Sequence, residues 1–300
     1  MKKLIYSLVL AACATGAWAS ETIRILSPYS PSHSASPAMR KIIDAANTSQ
    51  NAYNFIIEFK PGGNQIIAVR SIDPANSLAV IAPAFVENVD SGQLKESDYV
   101  PVHALGDACW AVITNKEFSG QTEFTVGGVG FGNATHLTAL ALGEKYKFKT
   151  TYIVFKSNFD GLVNMTGNNG IEMVIDRYES YESMVTQNSK LRVAAASCPT
   201  RLPQAPNIKT LRELKIDAPY IFNIIVAHKD MNNARRVAIG KILDDATLKV
   251  GKEEIYKLSA VRPPIFDGIT TDTFYKNSVT TIRKLADRYQ NEIKEAKSLK

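Results

Sequence analysis

Short apolar runs alternate with amphipathic stretches along most of the chain. The first series of apolar runs is TIRILSPY (22–29), NFIIEFK (54–60), SLAVIAP (77–83) and VPVHALG (100–106). The second series starts with CWAVITN (109–115) and ends with KLRVAAASC (190–198), and IFNIIVAH (221–228) follows it. Because these runs lack a polar face, they are typical of strands that are covered on both sides. The pattern predicts an α/β protein with mostly parallel sheets flanked by helices.

The stretches between the strands carry helix signals. The clearest helix is predicted at 37–49, where Ser36 suits the N-cap and Pro37 the first helical position. Apolar residues then recur at i, i+3, i+4 and i+7 as Met39, Ile42, Ile43 and Ala46. Further helices are predicted at 64–72, 233–248, 252–259 and 272–297.

The segment 124–176 places a glycine-rich turn between a strand and a helix. The strand FTVGGVG leads into FGNATHLTALALGEKY, where Gly130, Gly132 and Asn133 lie at the junction. Free backbone amides and the positive end of a helix dipole make such a junction a site for small anions. The alternative is that the glycines only permit a tight turn. The spacing is not the dinucleotide-binding fingerprint, since no acidic residue ends a second strand about 20 positions later.

The N-terminus is typical of an export signal. Residues 1–19 combine two lysines, a short apolar run and a final Ala-Trp-Ala that suits cleavage. The apolar run is shorter than the roughly 20 residues that cross a bilayer. We therefore expect removal of this segment and a periplasmic mature chain. The alternative is lipid attachment at Cys13, because LAAC (10–13) matches a lipidation pattern.

Composition and charge argue against a nucleic-acid partner. The chain has 35 basic and 29 acidic side chains, and its formal net charge of +6 falls to +4 without the two signal lysines. The excess is scattered, and no basic run interleaves with aromatic residues. A weakly positive surface suits anionic solutes. The 281 residues after the signal are enough for two modest domains.

Two cysteines remain in the mature chain, Cys109 and Cys198. In an oxidising compartment, an even pair is a candidate for a disulfide. The alternative is two small buried hydrophobic side chains. Composition alone does not distinguish the two.

Several local patterns occur in order between 23 and 289. They are Pro28-Tyr29, Lys60-Pro61-Gly62-Gly63-Asn64, Gly130 to Leu137, Phe155-Lys156-Ser157, Ile175-Asp176, Leu191 to Ala196, Leu202-Pro203 and Ile208 to Leu211. Their order and spacing resemble those of the Bug family, the extracytoplasmic solute-binding receptors of the tripartite tricarboxylate transporters.

The resemblance implies a two-domain periplasmic-binding-protein type II fold with a hinge between the domains. Residues 20–108 and 222–300 would form domain 1, and residues 109–221 an inserted domain 2. In this topology CWAVITN lies antiparallel to KLRVAAASC, which brings Cys109 to Cys198 and favours the disulfide. The implied function is to clamp a small carboxylate solute and deliver it to membrane transporter subunits. We expect a monomer that is not an enzyme and that uses neither a cofactor nor a metal.

One loop departs from the family pattern. Where the family has a glycine-rich run ending in threonine-aspartate, this chain has Ser32-His33-Ser34-Ala35-Ser36. We predict ligand contacts from Ser32, His33 and Ser34. A protonated His33 would favour a carboxylate, and the alternative is a solvent-facing loop histidine. The departure leaves the identity of the solute open.

Four further residues complete the predicted ligand set: Tyr29, Thr135, Lys156 and Asp176. They lie near the carboxyl ends of predicted strands, where open α/β sheets bind ligands. The Thr135 hydroxyl could bond a carboxylate or cap its helix, and Lys156 could pair with an anion or stay solvated. Because like charges repel, we expect Asp176 to cap the next helix or hold a bridging water. His136 is expected to be packed and hydrogen-bonded rather than a ligand residue.

Other classes of function are weaker alternatives. The four histidines are widely spread and no serine lies in a nucleophile-elbow pattern, which argues against an enzyme. His33 and His136 could meet as metal ligands, but Asp176 is the one obvious carboxylate to join them. Two alternatives to the transport receptor remain. One is a stand-alone binding or sensing protein without a transporter, and the other is a receptor whose ligand is not a carboxylate.

Overall fold

The computed structural model describes residues 20–31, 33, 35–185, 187–198, 200–202 and 204–298. The predicted signal with Cys13, and the predicted ligand residues Ser32 and Ser34, lie outside the described residues.

Strands and helices alternate along the chain as predicted. The strands are β1 (Glu21–Ser27), β2 (Tyr53–Phe59), β3 (Ser77–Ile81), β4 (Tyr99–Ala108), β5 (Ala111–Thr114), β6 (Glu123–Gly128), β7 (Lys149–Val154), β8 (Met173–Asp176), β9 (Arg192–Ala196), β10 (Ile221–His228) and β11 (Val261–Arg262). The helices are α1 (Ser36–Ser49), α2 (Ile66–Arg70), α3 (Ala84–Asp90), α4 (Ala134–Tyr146), α5 (Asn158–Thr166), α6 (Tyr178–Val185), α7 (Asn233–Val250), α8 (Lys252–Ser259), α9 (Thr271–Arg288) and α10 (Gln290–Ser298).

The strands form two sheets. The six-stranded sheet has the order β11-β4-β10-β3-β1-β2, and the five-stranded sheet has the order β7-β6-β8-β5-β9. Parallel pairs join β1 to β2 and β3, and β6 to β7 and β8. The chain crosses between the sheets before β5 and again before β10, and both of these strands run antiparallel to their neighbours. Antiparallel pairing is therefore more extensive than the strand and helix alternation predicts.

Helix α1 buries the predicted apolar stripe against the six-stranded sheet. Met39, Ile42, Ile43 and Ala46 are each at most 3% exposed. They pack in one cluster with Ile23 of β1. Burial of a methionine or isoleucine side chain contributes about 1.5–3 kcal/mol, so the stripe fixes α1 on the sheet.

The start of α1 differs from the prediction. Ala35, not Ser36, occupies the N-cap position, and no side chain of the described residues caps this helix end. The Ser36 hydroxyl instead donates a hydrogen bond of 3.1 Å to the backbone oxygen of Ser30. Ser36 therefore closes the loop after β1 rather than capping the helix.

Two predicted helices are divided. The segment 64–72 begins as a 3-10 turn at Gly63–Gln65, because Asn64 and Gln65 have positive φ angles of 51° and 72°. The C-terminal helix breaks at Tyr289, where φ and ψ are −107° and 22°. Tyr289 is 4% exposed and its hydroxyl bonds the Glu144 carboxylate, so the break lets an aromatic ring reach α4.

The pairing of strands that was expected to bring the two cysteines together is present. Strands β5 and β9 are antiparallel, with Ala111 opposite Ala196. Cys109 and Cys198, just outside this pair, form a disulfide with a Cα–Cα distance of 4.9 Å. Within the described part of the chain, no helix is long and apolar enough to cross a bilayer.

Candidate ligand-binding site

A cavity of about 780 Å³ is lined by loops of both sheets. In the six-stranded sheet these loops follow β1, β2 and β3, and in the five-stranded sheet they follow β6, β7 and β8. Representative wall residues are Tyr29, Gln65, Pro83, Asn133, Lys156 and Arg177. The volume lies within the usual range for small-molecule sites, about 300–1,000 Å³, and the carboxyl ends of strands are where α/β sheets bind ligands.

A larger groove of about 1070 Å³ runs between β7, α4 and the C-terminal helices. Four of its six charged side chains already bond one another. Glu144 accepts from Arg288 and Tyr289, and Lys149 pairs with Glu295 at 3.0 Å. Most of its wall is formed by α4, α9, α10 and the length of β7 rather than by loops that follow strands, so the smaller cavity is the better candidate.

Helices α4, α5 and α6 all begin at the cavity. The Asn133 side chain caps α4 by accepting a hydrogen bond of 3.0 Å from the His136 amide. Ser157 caps α5 through a capping box with Asp160. The first-turn amides of a helix have no carbonyl partner within that helix, and the helix dipole is positive at this end. Three such ends on one cavity favour an anionic group.

Two cations, Lys156 and Arg177, also line the cavity. Lys156 follows β7 and Arg177 follows β8. Among the described residues neither has an ion-pair partner, whereas Arg262 nearby is paired with Asp107 at 2.8 Å. An anion in the cavity could therefore pair with these two side chains without breaking an existing ion pair.

The structure brings most of the predicted ligand residues together. The cavity wall includes Tyr29, His33, Asn133, Thr135, Lys156 and Asp176. These residues come from both sheets and are separated by up to about half the chain, so the predicted strand-end loops do converge on one cavity.

Gly130 and Gly132 are not among the wall residues of this cavity. Their φ angles are +61° and +76°, a region that favours glycine. The Gly132 amide donates a hydrogen bond of 2.9 Å to His136 Nδ1. This amide is thus already paired, and the geometry matches the alternative in which the glycines shape a tight turn.

Tyr29 and His33, both in the segment between β1 and α1, have stacked rings. Their ring centroids are 3.8 Å apart with an interplanar angle of 5°. His33 Nδ1 accepts a hydrogen bond of 3.2 Å from the Ala35 amide. Burial, together with the charge of Arg177, lowers the pKa of the His33 imidazole to about 4. At neutral pH His33 is therefore uncharged, so the predicted attraction of a protonated imidazole for a carboxylate is absent there.

The side chains of Thr135 and Asp176 each make a hydrogen bond at the start of a helix, α4 and α6 respectively. The Thr135 hydroxyl donates to Asn133 Oδ1 at 2.8 Å and lies 2.9 Å from the hydroxyl of Tyr152. Asp176 is 8% exposed and accepts a hydrogen bond of 2.8 Å from the Arg177 amide. Burial raises the pKa of the Asp176 carboxyl, although its hydrogen bonds and Arg177 oppose the shift. His136 is buried and hydrogen-bonded, as expected.

Sequence reasoning missed several wall residues with polar atoms. Four buried atoms in the wall have no hydrogen-bond partner among the described residues: Gln65 Oε1, Trp110 Nε1, Asn158 Oδ1 and Glu179 Oε2. Most buried polar atoms in native proteins are paired, so this cluster points to a bound molecule. One signal was available in the sequence, because Arg177 and Glu179 lie one and three positions after the predicted ligand residue Asp176.

A metal centre finds no support in the described residues. Within these ranges, no group of three histidine, cysteine, aspartate or glutamate side chains is placed to hold a metal ion.

Comparison with known proteins gives neighbours by structure and not by sequence. No known protein family and no curated protein matches the sequence. A TctC solute-binding protein from Polaromonas aligns with a TM-score of 0.65 at 19% identity, over 88% of this chain and 99% of its own. The periplasmic binding protein BugD aligns with a TM-score of 0.67 at 13% identity, over 90% and 97%. MatC from Rhodopseudomonas palustris with bound malate gives 0.66 at 14% identity, over 91% and 99%.

The chain has the fold of the periplasmic binding proteins. The expected fold class and the resemblance to TctC and Bug proteins are thereby confirmed at the level of fold. In this fold the candidate cavity lies where loops of the two sheets face each other.

Proposed function

We propose that this protein is an extracytoplasmic receptor that binds a small carboxylate-bearing solute in the cavity. The single observation that carries the proposal is the convergence of three helix starts with Lys156 and Arg177 on one cavity wall. Neither cation has an ion-pair partner in the described part of the chain. Backbone amides, helix dipoles and cationic side chains all stabilise a carboxylate. The malate bound to the structural neighbour MatC is a solute of this chemical class.

The proposed receptor has two domains that close on the solute. Residues 20–108 and 222–300 contain the strands of the six-stranded sheet, apart from the first residue of β10, and residues 109–221 contain the five-stranded sheet. The two crossovers would then serve as the hinge. We also propose a periplasmic location after removal of residues 1–19, a monomeric state, and no catalytic turnover.

Calorimetric titration of residues 20–300 tests the binding. Without reductant, the protein is first unfolded and then refolded, which removes any carried-over solute. The refolded protein is titrated with mono-, di- and tricarboxylates, including malate. A thermal-shift screen selects the acids, since a ligand at 100 times its Kd adds about 2.7 kcal/mol of stability. We expect the native protein to bind at least one acid. The variant Arg177→Gln should bind it more weakly, and the control Arg212→Gln should bind it as the native protein does. Failure of every carboxylate to bind refolded protein would refute the proposal.

Delivery to a membrane transporter is the finer part of the proposal. It is tested by uptake of the bound acid, radiolabelled, in cells with and without the gene for this protein. Loss of uptake supports a transport receptor, whereas unchanged uptake favours a stand-alone binding or sensing protein.

A further inference from the structure

An exposed loop joins helix α5 to strand β8. Residues 167–170 of this loop are all exposed, and they include Asn169 followed by Gly170. This is the one place in the sequence where a glycine follows an asparagine. Because glycine has no Cβ, nothing on Gly170 itself hinders its backbone nitrogen. The loop therefore places a side-chain amide carbon beside an unhindered backbone nitrogen.

The backbone nitrogen of Gly170 is open to its surroundings. Gly170 has a φ angle of +80°, and apart from its chain neighbours no heavy atom lies within 4 Å of the position that a Cβ would take. Within the described residues, no hydrogen bond occupies the Gly170 amide, whereas the Asn169 amide donates to the Asn164 carbonyl at 3.0 Å. The turn is thus held on the side of Asn169 and left free at Gly170.

The side-chain amide of Asn169 is weakly held. Its Nδ2 donates a hydrogen bond of 3.2 Å to Asn164 Oδ1. An exposed hydrogen bond between neutral groups is readily exchanged for hydrogen bonds to water. The Asn169 side chain can therefore turn toward the Gly170 nitrogen without a change in the packed part of the fold.

We propose that Asn169 is a covalent modification site, where the side chain deamidates with Gly170 as the attacking residue. The Gly170 nitrogen loses its proton to a base in the solvent and bonds to Asn169 Cγ. The Cγ–Nδ2 bond breaks, and the nitrogen leaves as ammonia with a proton from the solvent. Water then opens the resulting succinimide ring at either carbonyl, which gives aspartate or, with the chain running through Cγ, isoaspartate.

The modification changes the charge of the protein and leaves the candidate cavity untouched. A neutral amide becomes a carboxylate, so the formal charge of the mature chain falls from +4 to +3. The loop lies at the end of α5 and the start of β8, whereas Asn158 at the start of α5 and Asp176 at the end of β8 line the cavity. The proposal is therefore independent of the proposed function.

Peptide mapping by mass spectrometry tests the proposal. Unreduced protein of residues 20–300 is stored at mildly alkaline pH, and digests taken at intervals follow the gain of one mass unit at each asparagine. Asn51 is the internal control, because it also lies exposed in a bend but is followed by Ala52. The reaction at Asn169 should be at least about tenfold faster, which corresponds to a barrier lower by about 1.4 kcal/mol. Synthetic peptides identify the products. A smaller ratio of rates, or a product without isoaspartate, overturns the proposal.

Two variants show whether Gly170 and the Asn169 amide are the reacting groups. Gly170→Ala adds a Cβ and should slow the reaction at Asn169 to about the rate at Asn51. Because a φ of +80° disfavours alanine, circular dichroism establishes that this variant folds. Asn169→Gln keeps an exposed amide but requires a larger ring, so no acidic product should form at position 169. An unchanged rate in folded Gly170→Ala, or an acidic product at position 169 in Asn169→Gln at the wild-type rate, overturns the proposal.

Discussion

The Tyr29 hydroxyl donates a hydrogen bond to the side-chain oxygen of Asn223. Tyr29 belongs to the loop after β1, and Asn223 lies in β10, the strand that brings the chain back to the six-stranded sheet. The bond joins residues 194 positions apart. Both side chains line the cavity, so this contact sets the position of the loop that carries His33.

Replacing Tyr29 by phenylalanine should destabilise the protein. Asn223 is 3% exposed, and the variant leaves its oxygen buried without this donor. The expected loss is about 1–3 kcal/mol in the free energy of unfolding, measured by urea denaturation. Tyr53→Phe is the control, because no hydroxyl hydrogen bond of Tyr53 is found among the described residues, and it should change stability by less than about 0.5 kcal/mol. Equal effects of the two changes would contradict this role for Tyr29.

Reducing the disulfide should lower stability more than either tyrosine change. Cys109 and Cys198 are separated by 89 residues, and cross-linking a loop of that length stabilises by about 4.6 kcal/mol in the chain-entropy model. Urea denaturation with and without a reductant measures the difference. The double variant Cys109→Ala with Cys198→Ala should show no response to the reductant. Two free thiols in native, unreduced protein would rule out the bond.

The sequence was most informative where strands and helices are buried. The apolar run at 221–228 coincides with β10, and the predicted helix at 252–259 coincides with α8. Buried elements leave strong patterns because every position, or one face, must be apolar. The end of the C-terminal helix was less predictable, since the break at Tyr289 depends on a contact with Glu144 that is distant in sequence.

The site was predictable only as far as topology decides it. Lys156 follows β7 and Asp176 ends β8, and the carboxyl ends of parallel strands in an α/β sheet meet on one side. The pairing of the Gly132 amide with His136 was not predictable, because a turn amide can reach a ligand or a neighbour equally well. Glu179 was missed because a charged residue on a short helix usually faces water. Its burial appears only once the loops are packed together.

Acidification should destabilise the protein through His136. Its imidazole is 1% exposed, and burial, with a smaller contribution from the charge of Lys297, lowers its pKa to about 4. The pKa of a histidine in the unfolded chain is near 6.5. Between these values the unfolded state binds more protons than the folded state. The stabilisation is therefore complete above about pH 6.5 and is lost as the pH falls toward 4, by about 1.4 kcal/mol per pH unit.

The variant His136→Asn isolates this contribution. An asparagine oxygen can still accept the hydrogen bond that the Gly132 amide now donates to the imidazole. The stability difference between wild type and variant, from urea denaturation at several pH values, should shrink as the pH falls from about 6.5 to 4.5. Other titrating groups, such as His33 and Asp176, are common to both proteins and largely cancel. A difference that does not change with pH would contradict the lowered pKa.

Removing the charge of Lys156 should weaken solute binding in a way that depends on salt. Lys156 is exposed at the cavity and its ammonium has no ion-pair partner among the described residues, so a bound carboxylate is its natural counterion. A charge-assisted contact of this kind contributes about 1–2 kcal/mol, so Lys156→Gln should bind malate about five- to thirtyfold more weakly. Because exposed charges are screened, the loss should be largest at low ionic strength and smaller at 0.5 M salt.

Lys190→Gln, an exposed lysine away from the cavity, is the matched control and should bind as the wild type does. An equal loss in both lysine variants, or a loss that does not vary with salt, would show that Lys156 does not contact the solute carboxylate.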